Sequence, residues 1–181
     1  MSTLYDAPHQ FEPLMPSEKR QEPLLVKAHE LARAAGRLAG LPIAPELRGL
    51  LRAMNSYYSN RIEGQHTRPL ELEQALRKDF SQDASLAARQ RLAIAHIDAE
   101  RDLEARYGGE AQASNLYSTV AVADIHRTLF GRLPPEDLKS SEGVEIVPGR
   151  WRSQEVRVGQ HVAPAASSMQ SLLDRWVTVY G

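Results

Sequence analysis

The sequence predicts a mainly α fold carrying one β-hairpin. Apolar residues recur at steps of three and four through most of the chain, which is the spacing of a buried helix face. Glycines and prolines fall where those runs end and begin. Only between about residues 144 and 158 does the spacing change to alternation.

In chain order, Pro23, after acidic Glu22, is placed to sit in the first turn of a helix running to about Gly40. Val26, Leu31, Ala35 and Leu38 keep helical spacing within it, and Leu41-Pro42-Ile43 breaks it. A second helix follows, with Leu47, Leu50, Leu51, Met54, Tyr58 and Ile62 forming one apolar stripe. Gly64 closes it at the position after the C-cap, where a left-handed residue is wanted. Thr67 and Pro69 open a short helix through Leu70, Leu72 and Leu76 to Phe80. A long helix is expected from about Asp83 to Tyr107, stopped by Gly108-Gly109, and another from about Ser114 to Phe130, stopped by Gly131. Pro134-Pro135 mark a connection. Val144, Ile146, Trp151, Val156 and Val158 then alternate with polar residues around Pro148-Gly149, the pattern of a hairpin. Pro164 introduces a last helix bearing Met169, Leu172, Leu173, Trp176, Val177 and Tyr180 on one side.

Composition narrows the function classes. The 181 residues are 42% hydrophobic and 25% charged, enough apolar material for a core without staples. There is no cysteine, which excludes disulfides, thiolate catalysis and cysteine-ligated zinc. The histidines (His9, His29, His66, His96, His126 and His161) are too scattered for metal-ligand spacing, so no metal site is expected. Net charge is −1 with 22 basic and 23 acidic residues, and no basic stripe marks a nucleic-acid face. No apolar run is long enough to cross a bilayer, and the opening MSTLYDAPHQFEPLMP lacks the order of a secretory signal, so a cytoplasmic setting is expected. That opening, with the residues to 22, reads as an extended arm. Residues 23–110 read as a helical region and 111–181 as a following unit that bears the hairpin.

One helix end stands out. Glu63 lies in the last turn of its helix, where the macrodipole is negative and a carboxylate is disfavoured. Solvent exposure would make that cost small; a cationic partner elsewhere in the fold would remove it. Ser59 sits one turn earlier, placed either to face the same site or to bond back to its own helix.

Ser59-Asn60-Arg61-Ile62-Glu63-Gly64, within YYSNRIEGQHTRPLELEQAL, resembles the inhibitory motif of Fic-type protein adenylyltransferases. Downstream, Val147-Pro148-Gly149-Arg150-Trp151-Arg152 with Val156-Arg157-Val158 is similar to the Fic flap hairpin. His161-Val162-Ala163-Pro164 and the Trp176 helix look like the segment joining flap to core. The resemblance covers about residues 45 to 181 and implies a helical Fic-type fold with an incomplete core. It implies that the inhibitory helix spans about 45–64, with Ser59, Glu63 and Gly64 as its inhibitory residues. Glu63 would pair with an arginine of the catalytic motif where the γ-phosphate of ATP must lie. The flap, about 144–158, would take a segment of the target protein as an added strand. For Trp151 a place in the core is the competing reading.

The family's catalytic motif, HPFxxGNGR, is absent: no histidine is followed by proline and phenylalanine, and no GNGR occurs. No catalytic residue is therefore assigned in this chain, and His126 is expected to be structural. ATP and Mg2+ are implied for a complete enzyme, and neither is expected to bind tightly to these residues. The partner expected is a protein substrate on the flap, not a membrane or nucleic acid; a homo-oligomer stays open. Two other readings stand beside this one: a catalytically incompetent regulatory or interaction module, and a helical DNA-binding protein, which the charge balance opposes.

Overall fold

The structure, a computed structural model, describes residues 16–39, 45–65, 67–109, 114–140, 143–159 and 161–180. Among them are six α-helices: α1 (Glu18–Ala39), α2 (Pro45–Ile62), α3 (Pro69–Leu76), α4 (Ala84–Tyr107), α5 (Thr119–Phe130) and α6 (Met169–Tyr180). The chain is mainly helical, as expected. The only strand ladder among the described residues joins two-residue strands, β1 (Arg157–Val158) and β2 (His161–Val162), in antiparallel register.

α4 is the centre. α2, α3 and α5 all pack against it, and its buried residues are Ala87, Gln90, Ala93, Ala95 and Ala99. These positions do not share one stripe, because the helix is covered from several sides. Small side chains let the neighbouring helices approach closely. Leu72 and Ala75 of α3 and Ala121 of α5 complete the buried set with Leu133.

The buried polar residues of this core, Ser56, Gln90 and Thr128, are each hydrogen-bonded. Ser56 of α2 is fully buried and its Oγ donates to the Ala93 carbonyl at 2.9 Å. Gln90 donates to the Glu71 carbonyl at 2.8 Å and accepts from the Ser81 amide at 2.8 Å, tying α3 and its exit loop to α4. Arg91 grips Asp137 with two bonds of 2.5 and 2.9 Å, fixing the short 3-10 turn at Pro135–Asp137.

Several boundaries differ from expectation. The expected arm over residues 1–22 lies largely outside the described residues, and its last part is helix: α1 begins at Glu18, where the Ser17 carbonyl accepts from Arg20 and Gln21. Pro23 therefore sits inside α1, leaving the carbonyl one turn before it without an amide donor. Lys19 is exposed, so water can replace that bond. α3 stops at Leu76, short of Phe80, because the chain turns into a left-handed conformation at Lys78 (φ 62°). Ser114–Tyr117 is a 3-10 turn, and Ser118 starts α5 by accepting from the Ala121 amide at 3.1 Å. α6 begins at Met169, after a 3-10 turn at Ala166–Ser168, and not at Pro164.

The hairpin expected at about 144–158 does not form there. Val144 and Ile146 pair backward, through Ser140 N to Val144 O (2.8 Å) and Ile146 N to Leu138 O (2.9 Å), with a bridge between Lys139 and Glu145. The two-residue ladder lies further along, at 157–162. Turn chemistry explains the shift. Val147-Pro148-Gly149-Arg150 closes with an Arg150 N to Val147 O bond of 3.0 Å, and its positive φ (78°) falls at the third residue, as in a type II turn. Such a turn splays the strands it joins. Gly159, with φ 60°, puts positive φ at the first central position between β1 and β2, which suits the twist of a hairpin.

Candidate functional site

The sequence singles out two places, the end of α2 and the 147–152 turn. The end of α2 is capped as Gly64 predicts. Its φ is 76°; its amide donates to the Arg61 carbonyl at 3.2 Å, and the Gln65 amide donates to the Asn60 carbonyl at 2.8 Å. This is a Schellman cap, and it places Glu63 at the C-cap, beside carbonyls that carry the negative end of the dipole.

Ser59 and Glu63 are both exposed. Among the described residues neither side chain has a hydrogen-bond or ion-pair partner, so Ser59 does not bond back to its helix. The neighbouring cation, Arg61, turns the other way: its Nη1 donates to the Tyr57 hydroxyl at 3.0 Å, with the guanidinium 6.0 Å from the Tyr57 ring centre. Among the described residues Glu63 is thus an exposed carboxylate without a partner, on a helix closed by a Schellman cap.

That helix is held from its polar side. Arg48 and Arg52 both bind Glu104 of α4, at 2.8 and 2.5 Å, and Asn55 donates to Glu100 at 2.9 Å. Their hydrogen bonds, Arg52's first, hold the Glu104 carboxyl below the ordinary carboxylate range. The apolar stripe read from the sequence is real but faces away from α4: Leu47, Leu50, Leu51, Met54, Tyr58 and Ile62 are all exposed, Ile62 to 82%.

At the second place, Val147, Arg150, Trp151 and Arg152 line an open groove of about 710 Å³, whereas Pro148 and Gly149 do not. His126 of α5 forms its floor. Its Nδ1 accepts the Gly149 amide at 2.8 Å and its ring stacks on Phe130 at 4.5 Å. Burial lowers its pKa below the usual imidazole value, which keeps Nδ1 free to accept. Gly149 lies against Arg127, whose Nε would be 2.8 Å from a Cβ at that position. Trp151 is 37% exposed and so is not a core residue. Arg152 donates to the carbonyls of Gln154 (2.8 Å) and Pro164, fixing the groove wall to the approach to α6. Val147 and Arg150 are exposed on the groove side.

Among the described residues no hydrogen bond or ion pair joins 59–64 to 147–152. The role of His126 in holding the turn was not visible in the sequence, since 23 residues separate it from Gly149. No group of three or more His, Asp or Glu side chains that could hold a metal ion converges among the described residues. No helix of the described residues is long and apolar enough to cross a membrane. The chain matches no protein-family model, no curated protein and no solved structure.

Proposed function

We propose that this chain is the N-terminal, autoinhibitory and target-docking portion of a Fic-type protein adenylyltransferase, inactive alone because it lacks the catalytic motif. The observation that carries the reading is Glu63: a carboxylate on a tightly capped helix end, exposed, and without a cation among the described residues. A carboxylate in that electrostatic position gains most from an arginine brought by another part of the protein, and a bidentate pair is the strong form of that contact. Such a pair would occupy the place the ATP γ-phosphate needs. Ser59 lies one turn away, its hydroxyl without a partner among the described residues, and Gly64 sets the angle at which the chain leaves.

The groove beside Val147–Arg152 supports the second half of the reading. Its backbone is anchored from behind by His126 and Arg152, and its open side presents Arg150 and Trp151 to a protein segment. Type II geometry at the turn means a target would meet a single rigid edge and not a long two-stranded flap. On this reading Mg2+ and ATP would be held by the remainder of a complete enzyme, which would carry the HPFxxGNGR motif that this sequence lacks.

The test is to compare a longer protein containing the HPFxxGNGR motif with its Glu63→Gly form. Autoadenylylation should rise in the mutant while the melting temperature stays close to wild type. Equal activity at equal foldedness would remove the inhibitory role. Residues 1–181 alone should label no target from ATP; reproducible labelling by the purified chain would reveal a site absent from this account. The alternative, an interaction module without an enzyme partner, predicts that no reading frame supplies the motif and that Glu63→Gly changes only binding.

A further inference from the structure

The two N-terminal helices each leave an apolar stripe uncovered, and the stripes match. On α1, Leu24, Ala28, Leu31 and Ala35 follow steps of four, three and four, and all are exposed, Leu31 to 71%. On α2, Leu51, Met54, Tyr58 and Ile62 follow steps of three, four and four, and all are exposed. Read in opposite directions, α1 against α2, these fall into facing pairs: Ala35 with Leu51, Leu31 with Met54, Ala28 with Tyr58, and Leu24 with Ile62. The residue numbers of each pair add to 85 or 86, which is the condition for antiparallel helices to stay in register along their length.

We propose that α1 docks on the α2 stripe as an antiparallel helical hairpin, making α1 a cover for the face of α2 opposite α4. Size complementarity favours it, because each Ala of α1 faces Leu or Tyr of α2, so ridges meet gaps. The flanking positions agree. Leu25 of α1 falls beside Ile62, and Lys27 falls beside Tyr57; Arg33 and Arg37 fall level with Arg52 and Arg48, but the latter two are turned to Glu104 of α4. Antiparallel macrodipoles also attract.

The occupant is α1 of the same chain and not of a second copy. Only residues 40–44 lie between the helices, within the range of connections that join antiparallel neighbours in bundles. A tethered helix acts at an effective concentration in the millimolar range, on the order of a thousandfold above a free chain at micromolar concentration. The α2 contacts to Glu100, Glu104 and Ala93 lie on the opposite side and would be kept. The inference does not depend on the adenylyltransferase reading.

Because the chain has no cysteine, introduced pairs report cleanly. Ala28→Cys with Tyr58→Cys, and Ala35→Cys with Leu51→Cys, are treated in the full chain with a short bismaleimide. Leu24→Cys with Leu47→Cys serves as a mismatch, its partners displaced by about 20 Å along the hairpin. The matched pairs should link within one chain roughly tenfold faster than the mismatch, since only they are held at contact. Equal rates, or links that join two chains, overturn the proposal. A readout without cysteines covers variants that lose structure: Leu31→Asp should speed amide exchange at Leu51, Met54 and Tyr58 while leaving α4 unchanged. Unchanged exchange on α2 in a helical Leu31→Asp chain also overturns it.

Discussion

Gly149 is where single-residue chemistry matters most. Its φ of 78° is disfavoured for any residue with a Cβ, and such a Cβ would press on Arg127. Gly149→Ala should therefore destabilise the protein by about 1–2 kcal/mol from backbone conformation alone. A denaturant titration should show a lower midpoint with an unchanged slope. His126 reads the same turn chemically. Its folded pKa is depressed, so the neutral form is favoured by folding, and the stabilisation is complete above the ordinary imidazole pKa of 6.5. It is lost as pH falls through the folded value, because the unfolded chain then binds more protons. Protonating Nδ1 also removes the acceptor for the Gly149 amide. In a Trp176→Phe background, the fluorescence of Trp151 should change as pH drops below that range. The change should vanish in His126→Gln, which isolates the imidazole as its source. A pH-independent signal would mean that the turn is held without His126.

At the scale of elements, the legible features were those written in local chemistry. Gly64 and Gly108 as helix ends, and Asp83 as the N-cap of α4 (Oδ1 accepting from Leu86 N at 2.7 Å), could be read because one residue type at one position satisfies a terminal amide or carbonyl. The hairpin was misplaced because alternation at Val144 and Ile146 says that a strand exists but not which neighbour it pairs with. Turn handedness decided that, and Gly159 carried the signal. The α2 stripe was legible as a stripe, but not its direction. The pattern suggested that the apolar side meets the core, whereas Ser56, Arg52 and Asn55 do. Periodicity cannot foresee an alanine-lined partner that accepts a serine hydroxyl. Of the candidate site, the cap at Gly64 and the turn at Gly149 could be read, and the His126 contact beneath that turn could not. Gln90 tests the same interface. Gln90→Leu leaves the Glu71 carbonyl and the Ser81 amide without their partner inside the core, at a cost of about 1–3 kcal/mol. Hydrogen exchange should quicken first in α3.

For the whole molecule, the central feature is a core of small side chains tied at its edges by arginine–carboxylate pairs. α2 meets α4 through Arg48 and Arg52 on Glu104, α4 meets the 135–137 turn through Arg91 on Asp137, and α4 meets α5 through Arg106 on Asp124. Alanines bury little apolar area each, so these pairs should carry an unusual share of the stability, and acid and salt should both reveal it. Glu104 gives the sign. Its folded pKa lies below the ordinary value of 4.5, so its contribution is fully present above that pH and is lost as pH falls through the folded value. Arg52 is the more buried partner, its side chain 17% exposed, so Glu104→Gln leaves a half-sheltered cation without its counter-ion. At pH 7 that substitution should cost roughly 1 kcal/mol, or about 2–4 °C in melting temperature for a chain of this size. As pH falls through the lowered folded pKa of Glu104 the two proteins should converge, because wild-type Glu104 is then protonated as well. Urea titrations of both forms at pH 7, 5 and 3.5 make the measurement. Continued to the lowest pH at which both forms stay folded, a gap that never narrows would show that Glu104 acts through packing and that the charge pair contributes nothing.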